Sequence, residues 1–550
     1  VPKKRIDLAS TRFVSAVPLA LMIMHGAGFA ADAPITPGSV LDTLTSPKLR
    51  MPSTPAQVVL PVQAVPSPHE PRAKRFRVNA FKFSGNTVYK EQSLKRLVER
   101  FVDQELNLYD LNKAADTITD FYHGRGYTLA RAIVPAQKVE NGVINMQVIE
   151  GRIGKVTMSG NKRFSSTMIA ARTKLLSQGS LVTTDRLETT LLLLNDIPGL
   201  NAKVILAPGT DFGATDAEIA LTESLISGYA VLNNYGRKET GRNKLEVGLS
   251  LNSPFGWGDQ LTASGSSTDH QLVKYWKAGY SIPLNTVGTR LAVSTSKVDY
   301  EVSGALAVLG IGGNVDTKEA VLSHPLQRTR DESHYLSLGF KRSELSQTVL
   351  GTPFASSKIN VLTAGYQLNY IHDNAAVTNL SASFASNFKS VENNTEQDAM
   401  RARMELDVNH TAAFTQKWDL FLRANYVFSK QRLPDTEKFS VGGPSSVRGY
   451  RPSEIRGDSG YLGTAELRHP FSVAGKMGIF RFTADTGQAV FKARGFTDSS
   501  INLHSVGMGV VFFPTKGISA SIDAVKPIGS KPINNDGKSN RVWMTISANF

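Results

Sequence analysis

The chain has 550 residues, a formal charge of +15 from 62 basic and 47 acidic side chains, and no cysteine. At that length two to four folding units are expected, and the missing cysteines exclude disulfide frameworks, thiolate metal sites and cysteine nucleophiles. The basic residues are scattered rather than gathered into a stripe, which argues against a nucleic-acid footprint.

In chain order, Lys3, Lys4, Arg5 and Arg12 precede the apolar run Phe13–Met24 and the small residues of "HGAGFAADA". A basic start, a short apolar core and a small-residue cleavage site describe a secretory signal over residues 1–33, with cleavage after Ala30 or Ala33. The run is too short for the ~20 apolar residues that span a bilayer as a helix, and no later segment qualifies. Residues 34–74 read as a linker, since nine of the 25 prolines fall between 34 and 71, and proline breaks both helix and ladder. One short helix near Pro37–Leu44, opened by Pro37, fits within it.

An internal repeat follows. "VNAFKFSGNTVYK" (Val78–Lys90) is echoed by "IGKVTMSGNKRFS" (Ile153–Ser165), the two Ser-Gly-Asn turns lying 75 residues apart. Each copy continues into two amphipathic helices and a strand pair. The first copy predicts helices over Glu91–Val102 and Leu111–His123 and a hairpin turn at Asn141-Gly142. The second predicts helices over Ser166–Leu176 and Thr184–Asn195, and strands over Ala202–Leu206 and Asp216–Leu221. Two small α+β modules, 75–152 and 153–225, are expected.

From residue 226 to Phe550 helical periodicity vanishes and apolar and polar residues alternate. Sixteen strand-like segments begin near residues 228, 244, 259, 271, 289, 313, 333, 358, 376, 399, 416, 460, 478, 502, 517 and 540. An even strand number allows closure without edges. Short connections ("PLNTVG", "HDNAA", "PTKG") alternate with long ones (301–312, 345–357, 388–398 and 431–459), as short periplasmic turns alternate with long external loops. The last segment, "RVWMTISANF", places Val542, Met544, Ile546, Ala548 and Phe550 on one face and Thr545, Ser547 and Asn549 on the other. These features predict a mostly β chain: a 16-stranded antiparallel transmembrane barrel behind two α+β modules.

Enzyme signatures are scarce: no HExxH, no GxSxG and no phosphate-cradling glycine loop occurs, and the ten histidines are dispersed. No metal or cofactor is implied. The Ser-x-x-Lys matches are chance hits: at Ser294–Lys297 residues three apart on a strand face opposite ways, and Ser159–Lys162 lies in the repeat turn. One pairing stands out. "SVGGPSSVRGYRPSEIRG" (Ser440–Gly457) lies in the loop 431–459 between the eleventh and twelfth segments and carries Val447, Arg448, Gly449 and Tyr450. In the thirteenth segment, Gly478–Val490, period two directs Phe480, Phe482 and Ala484 to lipid and Arg481, Thr483, Asp485 and Gly487 to the lumen. An inward-folded loop would let Arg448 clamp Asp485 in two-pronged fashion, which lysine cannot reproduce. Gly449 would permit a tight turn and Tyr450 would pack; the competing reading is an exposed loop and a hydrated carboxylate.

The ordered set of signal, proline-rich linker, duplicated Ser-Gly-Asn modules, sixteen strands, "VRGY" in a long loop and "DxG" in a later strand resembles two-partner secretion transporters of the haemolysin secretion/activation type, within the barrel-assembly superfamily. The resemblance covers the mature chain. It implies that the modules are periplasmic polypeptide-transport-associated (POTRA) domains. It also implies that Arg448 pairs with Asp485, supported by Gly449, Tyr450 and Gly487, and that the last strand, with Trp543 and Phe550, serves membrane insertion. The resemblance often brings a helix plugging the barrel too, for which Ser39–Ser46 is a short candidate and Pro55–Val65 a longer, irregular one. The expected function is passage of a large unfolded exoprotein from periplasm to cell surface; a barrel-assembly factor and a passive porin are the alternatives. Expected partners are that exoprotein, outer-membrane lipid, periplasmic chaperones and the barrel-assembly machinery, with the transporter acting as one copy in the outer membrane of a Gram-negative cell.

Overall fold

The computed structural model describes residues 35–44, 58–59, 75–392, 395–397, 401–492, 498–529 and 540–550. The signal expected over 1–33 lies outside these residues. Each soluble module is a small sheet packed on two helices. In the first, Ala80–Ser84 runs parallel to Val143–Ile149, which pairs antiparallel with Arg131–Ile133. Helices Glu91–Val98 and Leu108–His123 cover one face. The second helix begins three residues earlier than its pattern suggested because Asn107 forms a reciprocal cap with Asp110, and such a box satisfies otherwise orphaned amides. The core joins Phe81, Ile144 and Met146 of the sheet to Leu94, Ile118 and Tyr122 of the helices. At Asn141-Gly142 both φ angles are positive, as a type I′ turn needs.

The second module repeats this plan. Arg152–Ser159 lies parallel to Ala214–Glu223, which pairs with Leu200–Pro208, and helices Ser166–Arg172 and Thr184–Asn195 pack against them. The linker pair Val58–Val59 adds to the outer edge of Leu200–Pro208 in parallel. The repeated Ser-Gly-Asn turn has a geometric cause: Gly85 and Gly160 both take φ near +80°, which side chains disfavour, and a Cβ at either would collide with a carbonyl oxygen, of Val148 and Leu221 respectively.

From Ile226 the strands close into an antiparallel barrel. The tenth strand is met twice along the ninth, as Thr395–Gln397 and as Arg401–Thr415, giving sixteen strands in all. The first, Ile226–Asn233, closes on the last, Arg541–Asn549. Exposed Leu245, Val247 and Leu249 and exposed Val542, Met544 and Ile546 form parts of the outward apolar surface, while the alternate residues line a polar lumen. Among the described residues no helix is long and apolar enough to cross a membrane.

Two expected loops are not loops. Residues 345–357 form the end of the seventh strand, Glu332–Val349, and the start of the eighth, Thr352–Ile371, joined at Leu350-Gly351. The ninth strand, Val377–Glu392, likewise runs into the stretch expected as a loop from 388. Above the membrane both faces are polar, so alternation fades although the hydrogen-bond ladder continues. At the opposite end the short turns meet the second module: Arg328 makes two hydrogen bonds to Asp196, at 2.9 and 3.0 Å, and Arg172 donates to the Asn285 carbonyl at 3.2 Å.

Candidate functional site: a loop and a helix inside the barrel

The connection between the eleventh strand, Trp418–Phe428, and the twelfth, Ser459–Val473, folds into the lumen. It rises as a short ribbon, Phe439–Val441 against Ile455–Gly457, and ends in a tip that holds the arginine motif. Gly442 and Gly443 adopt φ of 110° and 102° to start the tip. Val447 and Tyr450 are fully buried, in a cluster with Val441, Ile455 and the wall residues Val427, Leu462 and Leu503. Apolar lumen-facing residues near the outer end of these strands therefore receive the loop.

Arg448 meets Asp485 on the thirteenth strand, Lys476–Phe491. Its Nε donates to Oδ2 at 3.2 Å, its Nη2 to Oδ1 at 3.0 Å, and its own amide to Oδ2 at 3.2 Å. The ladder sets Thr464 and Ser505 directly opposite Asp485, and both hydroxyls donate to it, at 3.1 and 3.0 Å. Arg448 and Asp485 are 6% and 4% exposed, and such a pair holds only if its remaining hydrogen-bond capacity is filled. Glu466 supplies a second carboxylate at 2.7 Å from Nη2 and is itself held by Arg468 at 2.6 Å. Nearby, Arg481 pairs with Asp523 at 2.6 Å. Three positive and three negative groups thus balance.

Gly449 does not take a left-handed turn. Its reason is proximity: a Cβ there would stand 2.7 Å from the Ser505 Cβ and 2.8 Å from the Pro527 backbone nitrogen. Gly487 vacates the space that Val441 and Val447 fill, at 2.7 and 3.0 Å from where its Cβ would lie. Trp543, grouped from sequence with the membrane-inserted end of the chain, faces the lumen. Its Nε1 donates to the Arg448 carbonyl at 2.7 Å, and Arg541 Nε donates to the Gly449 carbonyl at 3.1 Å. Phe550 is 70% exposed on the outside and closes the seam through backbone bonds with Gly228. Glu466, Arg541 and the loop-accepting role of Trp543 escaped the sequence reading, although the period-two rule that found Asp485 also directs Glu466 inward.

A second body shares the lumen. Helix α1, Pro37–Asp42, seats Ile35 and Val40 on an apolar patch of the wall built from Val273, Val298, Tyr300, Val315, Leu345 and Val361. Its N-terminal end is held by Asp435 of the loop, which accepts from the Gly38 amide at 2.7 Å and Thr36 Oγ1 at 3.1 Å. At the other end Lys244 Nζ donates to the Thr43 carbonyl at 2.8 Å, a cation at a helix C-terminus. Arg456 bridges helix and loop, 2.8 Å from Asp42 and 2.5 Å from Asp435. The loop tip is tied to the first external connection by Arg451, 3.1 Å from Glu239 and 3.3 Å from Glu454.

Outside the barrel, Glu150 joins the parts of the first module. Burial alone would raise its carboxyl pKa. The Thr87 hydroxyl, the Val88 and Thr87 amides and the Tyr122 hydroxyl all donate to it and hold it below the ordinary carboxylate value. The same contact, with burial, pushes the Tyr122 hydroxyl up.

Known proteins resemble this chain in sequence and in fold. The haemolysin secretion/activation protein family (ShlB/FhaC/HecB) matches residues 218–512, and the ShlB-type POTRA domain matches residues 76–151. The heme/hemopexin transporter protein HuxB of Haemophilus influenzae is 26% identical over 476 residues, covering 83% of this chain and 84% of the relative. The solved structure of CdiB from Escherichia coli superposes with a TM-score of 0.67 at 21% identity, covering 89% of this chain and 93% of that one. BamA from Haemophilus ducreyi lacking POTRA domains 1–3 shares the fold, with a TM-score of 0.56 at 15% identity over 86% of this chain and all of that one. The chain belongs to the haemolysin secretion/activation family of outer-membrane transporters, with its POTRA modules in the periplasm.

Proposed function

We propose that the protein exports one large, unfolded polypeptide through the lumen of its own barrel, and that the loop and helix α1 form the closure of that route. The carrying observation is that both occupants are held by groups of the wall, Arg448 by Asp485 and α1 by Lys244, rather than merged into the sheet. A relative named for haem and haemopexin transport and another named a hemolysin transporter support a secreted exoprotein as cargo. The POTRA modules receive the cargo in the periplasm, where a free strand edge can pair with an extended segment. Periplasmic chaperones and the barrel-assembly machinery deliver the transporter itself, which works as a single copy. Folding of the emerged cargo at the surface supplies direction. The family is one of transporters.

The test is coexpression with a candidate exoprotein and assay of the medium, beside a chain lacking residues 78–222. The truncated barrel is expected to insert and to secrete nothing. Normal secretion without the modules would refute their receiving role.

A further inference from the structure

On the outer wall, the seventh to eleventh strands enclose a shallow trough of about 700 Å³, within the size range of small-molecule sites. Leu336, Tyr366, Phe384, Leu406 and Tyr426 form its sides, and Ala364 and Ala382 leave the floor low. The trough belongs to the surface that faces hydrocarbon, so an acyl chain is the occupant with matching chemistry.

Its periplasmic end is polar. Thr378 lies four residues before Ala382, about 13 Å toward the turn at roughly 3.4 Å per residue. There His372 Nε2 stands 2.8 Å from Thr378 Oγ1, which stands 2.9 Å from His410 Nδ1. The Tyr370 ring meets His372 edge-on at 4.6 Å. A hydroxyl between two neutral imidazoles donates to one and accepts from the other. If it donates to His410 Nδ1, His410 carries its proton on the far nitrogen, Nε2. If it donates to His372 Nε2, His372 carries its proton on Nδ1. Either way the relay ends in one N–H turned away from the threonine. Next to it, Tyr366 OH is 2.6 Å from His334 Nδ1, and Glu332 Oε1 is 2.7 Å from His334 Nε2. Exposed Asp373 follows His372 in the same turn. This end of the barrel is the one that meets the POTRA modules, so the polar cluster sits at the inner-leaflet headgroup level, where phospholipid rather than lipopolysaccharide is found.

We propose that this wall binds one diacyl glycerophospholipid with a phosphoethanolamine headgroup: an acyl chain fills the trough, the phosphate accepts the relay's outward N–H, and the ammonium faces the carboxylates of Glu332 and Asp373. The site is separate from the export route and does not depend on it.

The full-length protein, exchanged into micelles holding equimolar phosphatidylethanolamine, phosphatidylglycerol and phosphatidylcholine with matched chains, is examined by native mass spectrometry. One retained phosphatidylethanolamine is expected, with about fivefold preference over each competitor, the scale of one solvent-exposed ion pair. The double variant His372→Phe/His410→Phe, which removes both ends of the relay, and Ala382→Phe, which fills the trough, each lower retention at least fivefold. Leu249→Phe, on the second strand and away from the trough, leaves both unchanged, and heat-modifiable mobility shows which variants fold. Equal retention of the three lipids by the wild type, or undiminished retention in a folded His372→Phe/His410→Phe or Ala382→Phe variant, overturns the proposal.

Discussion

Arg448 sits between two carboxylates that would repel each other without it. Losing one partner of such a buried pair costs about 3–5 kcal/mol, because the remaining charge stays out of water. Arg448→Ala and Asp485→Asn are therefore each expected to loosen the loop and lower secretion by an order of magnitude or more, measured as exoprotein in the medium. Exchanging the two charges in one chain should recover only part of the loss, since Glu466, Thr464 and Ser505 all favour the native orientation. In the first module, Glu150 makes a prediction with a definite pH sign. An unfolded glutamate titrates near 4.3, and the folded one lies lower. Its stabilisation is then complete above that pH and is lost as pH falls through the folded value. Limited proteolysis of the whole chain should show the module opening in that acidic window, whereas Glu150→Gln, costing about 1–3 kcal/mol, should open it more readily at neutral pH. Residue pairing was legible where a charge occupied a lumen position and an arginine lay among glycines in a long loop. The reason for Gly449 was not, because it lies in the approach of Ser505 and the Pro527 backbone, which forbid a side chain there.

At the scale of elements, helix α1 has six residues, too few to be stable alone. It exists because the wall and loop hold it: Asp435 at one end, Lys244 at the other, Arg456 between helix and loop. Deleting residues 35–44 is expected to raise single-channel conductance in planar bilayers severalfold, and Arg456→Ala to produce brief openings of the same size. Unchanged conductance in both would remove α1 from the closure. The sequence indicated a helix here from Pro37, but not its seat. Val273, Val298, Val315 and Val361 read like any lipid-facing strand residues, and only register reveals that they point inward. The reverse held for the seventh and eighth strands, whose outer ends carry Arg342, Glu344 and Lys358 and so lose the alternation that marks strands within lipid.

For the whole molecule the barrel seam decides between export through the lumen and lateral release into the membrane. The first and last strands pair over Tyr229–Asn233, and the loop reinforces the seam from inside through Trp543 and Arg541. A chain without cysteine permits a clean test. Leu232 and Ile546 are directly paired across the seam and both are exposed, within the Cα separation a disulfide can bridge. Oxidised Leu232→Cys/Ile546→Cys protein is expected to secrete as well as the reduced form; a block relieved by reductant would require an opening seam. The apolar seat of α1 has a consequence for the permeability of the cell. Re-covering Ile35 and Val40 is worth about 3–6 kcal/mol at most, which biases the lumen toward the occupied state by about 10²–10⁴. If α1 is part of the proposed closure, the membrane keeps its barrier to small solutes between export events, and the vacated valines would draw the helix back once a cargo has passed.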